Sequence, residues 1–415
     1  MKQTGRRVVI TGLGIISCLG LNRDDVTDAL RHGRSGITFL PERRELGFQS
    51  GLSGVVSGFD PTRYLSKKQR KTLPEFGVWA WAALEQAFEQ AGLDPRCLKG
   101  DNRTGMIFGN DSSAATAVEQ VETLRHSGET KAIGSGHIIR LLNSTITLNI
   151  STFLGLHGHT WTVSGACASG AMAIGQASEL IAAGRLDRAI SGGAQEISWQ
   201  SMCSFDTLGA FSRRQDDPAA ASRPFDEERD GLVPSGGAAV LILEAAETAE
   251  ARNAEILGEV LGYGNTTDGY HIVVPSGEGL ERAMRMALDN AQIPPEKIDL
   301  VLAHATSTPT GDVVEAQALR NIFQPAGPAK SPWITAIKSL TGHEFWMAGA
   351  SQVVYGLLMG REGFIAGIRN LKKPVPEANN LRFPLETVSM KSRYLLCNAA
   401  GFGGTNACLV IKNLQ

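Results

Sequence analysis

The chain has no apolar run long enough to cross a bilayer, no paired-cysteine motif, no Pro-rich linker and no low-complexity tail. Each absence removes a class of protein. A helical membrane span needs about 20 consecutive apolar residues, and none is present. The six cysteines (Cys18, Cys97, Cys167, Cys203, Cys397, Cys408) are scattered without CxxC spacing. A disulfide framework is therefore not expected, and a reducing compartment is. Lys and Arg total 40 against 42 Asp and Glu, a net charge of −2, which gives no global pull toward nucleic acid or membrane. Arg6 and Arg7 followed by Val8-Val9-Ile10-Thr11-Gly12-Leu13-Gly14 have the outline of a signal peptide. Two glycines interrupt the run, however, and no small-x-small cleavage site precedes Asn22. A first buried strand entering a glycine turn fits better, in a soluble cytoplasmic protein.

What is present is regular alternation. Residues 8–11, 104–108, 160–164, 188–193 and 238–244 read as strands, and 75–91, 168–183, 279–291 and 349–360 carry helical periodicity. Apolar strands alternating with helices imply a sheet covered on both faces, an α/β architecture. With 415 residues there is room for two large domains or one duplicated one. The charged, alanine-rich stretch 245–252 divides the chain into expected halves 1–250 and 251–415. Each half begins with a strand and contains an Ala/Gly-rich helix, which hints at duplication without an obvious sequence repeat.

Four segments carry chemistry. Cys167 sits in Val163-Ser164-Gly165-Ala166-Cys167-Ala168-Ser169-Gly170-Ala171, small residues between a strand and a helix. A helix N-terminus favours thiolate, the attacking form, although most free cysteines are simply buried. His304 follows a strand, at the end where α/β sheets place ligands, in His304-Ala305-Thr306-Ser307-Thr308-Pro309-Thr310-Gly311-Asp312. Lys338-Ser339-Leu340-Thr341-Gly342-His343 precedes another helix. Gly401-Phe402-Gly403-Gly404-Thr405-Asn406 is a turn able to aim backbone N–H groups. A thiol, two imidazoles, a lysine near an acid and such a turn make an acyl-transfer kit.

In this order the segments resemble the β-ketoacyl-acyl-carrier-protein synthases, closest to the type II ketosynthases of fatty-acid and polyketide assembly. The resemblance runs end to end, through Ser222-Arg223-Pro224-Phe225-Asp226, Arg229-Asp230-Gly231 and Asp268-Gly269-Tyr270-His271-Ile272. It implies a duplicated thiolase-like fold layered αβαβα, usually as a dimer with itself or with a ketosynthase-like subunit. It also implies an acyl carrier protein as partner, phosphopantetheine-borne substrates and no resident cofactor or metal. By the same resemblance Cys167 takes the acyl group, and the N–H groups of Cys167 and Phe402 hold its oxyanion. Phe402 also matches the family's gate, and His304 and His343 serve malonyl decarboxylation. Lys338 pairs with Glu315, and Thr306 and Thr308 meet the phosphopantetheine arm. The basic run Lys67-Lys68-Gln69-Arg70-Lys71 matches a carrier dock, with Arg213 and Arg214 a second candidate.

The chain departs from the family in places that bear on substrate. Asn110-Asp111-Ser112-Ser113 and Gly134-Ser135-Gly136-His137 stand where relatives carry a Gly/Ile turn and paired phenylalanines. Ser112, Gly136 and His137 are thus expected to make the acyl pocket near the dimer contact wider and more polar, suited to a long, unsaturated or polar chain such as a polyene or aryl-primed intermediate. Glu344-Phe345-Trp346-Met347 replaces small residues, with Trp346 expected to reshape the pocket wall, and Ser235-Gly236-Gly237 lacks an acid. Among competing readings, a chain-length factor would lack the reactive cysteine. A thiolase would need a second one near the C-terminus, which Cys397 and Cys408 do not match. Gly12-x-Gly14 lacks the third glycine of a dinucleotide fingerprint, and His157-Gly158-His159 has no further metal ligands at convincing spacing.

Overall fold

The computed structural model describes residues 5–324 and 331–414. Its frame is a ten-stranded sheet. In chain order the strands are β1 (Val8–Ile16), β2 (Thr104–Gly109), β3 (Thr160–Val163), β4 (Arg188–Gln195), β5 (Gly237–Ala245), β6 (Gly258–Thr267), β7 (Leu300–Leu302), β8 (Trp333–Thr335), β9 (Tyr394–Gly401) and β10 (Thr405–Asn413). From the middle outward, one side runs β1-β5-β4-β2-β3 and the other β6-β10-β9-β7-β8. Each side has two antiparallel pairings and then two parallel ones. The order and sense are identical, so the chain folds the same unit twice. The units join where Val8, Val9 and Ile10 of β1 pair antiparallel with Val260, Glu259 and Gly258 of β6.

Helices fill three layers around this sheet. Seven matter here: α1 (Glu75–Ala91), α2 (Ala114–Ser127), α3 (Thr145–Leu154), α4 (Ser169–Ala182), α5 (Glu278–Ala291), α6 (Gly311–Phe323) and α7 (Ala348–Glu362). One core contains Ala171, Ile174 and Ala177 of α4 with Ala350, Val353 and Leu357 of α7. The N-terminal outer core joins Trp79 and Ala83 of α1 and Ile150 of α3 to Met106 and Phe108 of β2. The C-terminal outer core joins Ala283 and Ala287 of α5 and Leu319 of α6 to Val301 of β7. Neighbouring strand residues face opposite cores: Ile107 points to the central layer and Met106 and Phe108 outward. This is the αβαβα layering of the thiolase-like fold. α4 and α7 are buried almost all round, which explains why small and apolar residues dominate both without a polar face.

The glycine pairs of β1 and β6 are packing devices, repeated in both units. A Cβ on Gly12 or Gly14 would lie 2.1 and 1.7 Å from the carbonyl oxygens of Ala87 and Ala83 on α1. Gly262 and Gly264 stand 2.1 and 2.0 Å from those of Ala287 and Ala283 on α5 by the same measure. The Gly-x-Gly of β1 therefore seats a helix against a strand.

Gly14→Ala and Gly264→Ala are each expected to cost about 3 kcal/mol, because backbone must move on both sides. Gly33→Ala, whose Cβ meets nothing within 4 Å at a φ of +60°, is expected to cost about 1 kcal/mol from conformation alone. Urea unfolding of the three variants checks the ordering.

Candidate active site

The repeated topology brings four connections together. Cys167 lies between β3 and α4, and His343 lies at the equivalent place between β8 and α7. His304 follows β7, and Phe402 opens the turn between β9 and β10. These connections enclose a cavity of about 390 Å³, lined by Cys167, His304, His343, Thr306, Thr308 and Phe402 among others. The sulfur is 3.2 Å from Nε2 of His343. The two imidazoles meet edge to face at 5.2 Å and 89°.

Local backbone holds these groups in place. Ala166, just before the nucleophile, has φ +47°; Ser307 in the His304 loop has +68° and Phe345 after His343 has +39°. Non-glycine residues adopt this region only when their surroundings enforce it. Gly401 is required by close approach: a Cβ there would come within 2.8 Å of the Cys167 nitrogen. That contact carries the Phe402 turn against the start of α4.

The His304 loop is clamped by carboxylates. Glu315 accepts the backbone N–H groups of His304 at 2.8 Å and Ala305 at 2.6 Å, and the Asn398 amide at 3.1 Å. Asp312 accepts from Ser307 N–H at 3.0 Å and Phe225 N–H at 2.8 Å. The Ser307 hydroxyl accepts from Arg223 N–H, its carbonyl accepts from Gly231 N–H, and the Arg229 guanidinium donates to the Thr308 carbonyl. The Ser222–Asp226 and Arg229–Gly231 segments are therefore braces for this loop. Ser222 also donates to the Lys338 carbonyl at 2.6 Å. Asp312 and Asn398 were not assigned from sequence. Their signal was position beside His304 and Gly401, which says nothing of side-chain direction.

Burial sets the ionisation. Both imidazoles are held well below the usual histidine range, first by desolvation and then by the Lys338 ammonium. They are neutral at pH 7, and among the described residues nothing hydrogen-bonds either Nδ1 to pin a tautomer. Burial also pushes the Cys167 thiol up to about 12, against the lowering influence of Lys338. Desolvation therefore opposes the thiolate that the strand-to-helix position favours, and the sulfur lies in contact with His343.

Lys338 itself departs from expectation. It makes no direct contact with Glu315; its ammonium is fully buried with no hydrogen-bond partner among the described residues. It interacts with Glu315 and Glu344 only through space, while burial lowers it to about 8.

The expected pocket residues are not gathered around the sulfur. Ser112, Gly136 and His137 do not line its cavity. Gly136 packs against the Lys71 carbonyl, and the His137 ring sits 3.0 Å from the Gly134 carbonyl. The wall nearest the sulfur is aromatic, with Phe205, Phe345 and Phe402 lining it. Phe345 stacks on His343 at 4.6 Å, and Phe205 stacks on Phe402 at 5.7 Å. Trp346 is buried behind that wall, packed with Phe345 and Cys167. The segment lacking an acid still braces His343, since Ser235 N–H donates to the His343 carbonyl at 2.9 Å.

Lys67, Lys68 and Lys71 are exposed on or beside a short helix, Lys67–Arg70, closed by a Ser66/Gln69 capping box, and Arg70 donates inward to the Leu65 carbonyl. Arg213 is exposed, its guanidinium donating to Gln49 and its backbone N–H to Asp230, while Arg214 donates to the Glu228 carbonyl and lies 3.9 Å from Asp230. Cys397 and Cys408 are buried in the sheet away from the cavity. No helix among the described residues is long and apolar enough to cross a membrane.

A thiol with a proton acceptor in contact, two neutral imidazoles facing it and a duplicated α/β frame define an acyl-transfer enzyme of the condensing class. Residues 5–249 match the model for "Beta-ketoacyl synthase, N-terminal domain" and residues 257–372 that for the C-terminal domain. The chain is 39% identical to 3-oxoacyl-[acyl-carrier-protein] synthase 1 of Escherichia coli (strain K12), covering 99% of this chain and all of that one. Among solved structures, a β-ketoacyl synthase from Burkholderia phymatum superposes with a TM-score of 0.92 at 34% identity, covering 99% of this chain and 100% of that one. A ketosynthase solved with its type II polyketide acyl-carrier protein gives 0.87 at 29%, with the same coverage. This chain belongs to the β-ketoacyl synthase family.

Alkylation of Cys167 by iodoacetamide is expected to keep accelerating past pH 9, where an ordinary cysteine has levelled off. A plateau below pH 8 would restore the resting thiolate.

Proposed function

We propose that this protein condenses an acyl group held on Cys167 with malonyl carrier protein, releasing CO2 and a β-ketoacyl carrier. The observation that carries the reading is the meeting of Cys167 with two neutral imidazoles in one cavity. In the loading half, the thiol gives its proton to His343 while the sulfur attacks the acyl thioester. The oxyanion is taken by the N–H groups of Cys167 and Phe402. The first carrier leaves as a thiol, carrying that proton. In the second half, His304 and His343 each turn one N–H toward the malonyl thioester oxygen. The bond to the carboxylate breaks, its electrons form the enolate, and CO2 departs. The enolate carbon attacks the acyl carbon, the carbon–sulfur bond breaks, and the departing Cys167 thiolate takes up one proton from water. Neutral imidazoles suit this step because they donate to developing charge without having to ionise. Lys338 supplies positive potential at the same place, and the scheme calls for no resident cofactor or metal.

Thr306 and Thr308, 3.1 Å apart at the cavity wall, suit the amide-rich phosphopantetheine arm, and Phe402 at its mouth suits a gate. The exposed lysines of the Lys67–Arg70 helix and Lys71 suit an acidic carrier. The edge strand β3, with Trp161 36% exposed, suits pairing with a second copy or a ketosynthase-like subunit. The aromatic wall of Phe205, Phe345 and Phe402 favours an apolar chain with flat segments, so unsaturated and aryl-primed acyl groups are the preferred class.

Intact-mass analysis with acyl carriers, then malonyl carrier, tests the reading. Cys167→Ala is expected to abolish loading. His304→Ala and His343→Ala are expected to cut condensation at least about 100-fold while affecting loading less. Normal condensation by both histidine variants would refute the scheme. Lys67→Glu with Lys68→Glu is expected to raise the KM for carrier, and raising the salt concentration should do the same to the wild type.

A further inference from the structure

The His343 turn carries a buried acid that the condensation scheme does not use. Glu344 is 2% exposed. One carboxylate oxygen accepts the Tyr355 hydroxyl at 2.7 Å and the other the Ser351 hydroxyl at 2.5 Å, both from α7. Tyr355 and Ser351 are themselves fully buried and one helical turn apart. Glu344 thus ties the residue after His343 to the central helix, and the left-handed Phe345 that stacks on His343 follows directly.

The same carboxyl group, which burial raises and Lys338 lowers, acts through space on an ammonium with no hydrogen-bond partner among the described residues. Lys338 lies at the other end of this short segment, and Glu315 is the second acid that acts on it. We infer that Glu344 is a positioning residue for condensation, anchoring the His343 turn to α7 and supplying a second counter-charge to Lys338. The inference rests on the condensing reaction proposed above.

Several titratable groups face this cluster. Cys167, His304 and His343 come from the cavity side, and Asp312 and Glu315 from α6. Cys18, just beyond β1, and Tyr355 of α7 lie on the other side. Lys338 is the one cation among them at neutral pH. Its charge stabilises the enolate that forms between the imidazoles, and it persists in a dry site only while carboxylates oppose it. Glu315 spends its oxygens on three N–H donors of the His304 loop and Asn398. Glu344 is free of that duty.

Glu344→Gln separates charge from contact. The Ser351 hydroxyl also reaches the Ala348 carbonyl at 3.1 Å, so it can turn its proton there and accept from the new amide. Tyr355 continues to donate to the remaining carbonyl. In this variant, measured with malonyl carrier after Cys167 is loaded, the basic limb of the condensation kcat profile is expected to move about one pH unit lower, because Lys338 loses its proton sooner. At pH 8 condensation is expected to fall about fivefold, with loading by intact mass retained. A profile superimposable on the wild type would overturn the charge role. Tyr355→Phe keeps the acid and removes its anchor, so it is expected to lower kcat about threefold with the limb in place. A Tyr355→Phe enzyme identical to the wild type would overturn the anchoring role. Failure of the wild type to load or condense at all would count against the proposed reaction and leave the inference no footing.

Discussion

The site is organised around one buried ammonium. Lys338 has left water without a hydrogen-bond partner among the described residues, which is tolerable only because two carboxylates act on it. Its field lowers both imidazoles and the Cys167 thiol together. Those groups are thereby tuned as a set: the imidazoles neutral, the nucleophile beside one of them. The carboxylates are immobilised in turn, Glu315 by backbone N–H groups of the His304 loop and Glu344 by hydroxyls of α7. Charge balance and loop geometry are therefore the same constraint seen twice.

Duplication supplies the scaffold for that constraint. Cys167 and His343 occupy equivalent strand-to-helix connections, and α4 and α7 begin side by side in the central layer. The unit after β2 ends in Asn110, Asp111 and Ser112, where the unit after β7 ends in His304. One copy has kept the nucleophile and the other both bases. The helix-seating glycines did not diverge: Gly12 and Gly14 against α1, Gly262 and Gly264 against α5. Contact between a strand and a helix backbone leaves no room for substitution, whereas a loop end does.

Much of this was legible along the chain. Strand and helix runs fell where their apolar periods lay, and the Cys167, His304, Lys338/His343 and Phe402 segments all reached the site. The glycine-based repeat was present in the sequence but hidden, because Gly12, Gly14, Gly262 and Gly264 acquire meaning only once α1 and α5 are seen to lie on them. Ser112, Gly136 and His137, expected in the acyl pocket near the dimer contact, do not line the cavity at the sulfur. Gly136 instead packs under the basic helix at Lys71, while the aromatic wall comes from Phe205 and Phe345, residues far apart in sequence.

The sequence by itself determined the family, the duplicated α/β frame and the chemical groups available, since these depend on residue identity and local period. Only the tertiary structure decided their states. Whether Cys167 rests as thiol or thiolate, whether Lys338 touches Glu315 and what Glu344 does all depend on desolvation and on distances across the central layer. Those quantities arise from packing segments distant in the chain, and no local pattern encodes them.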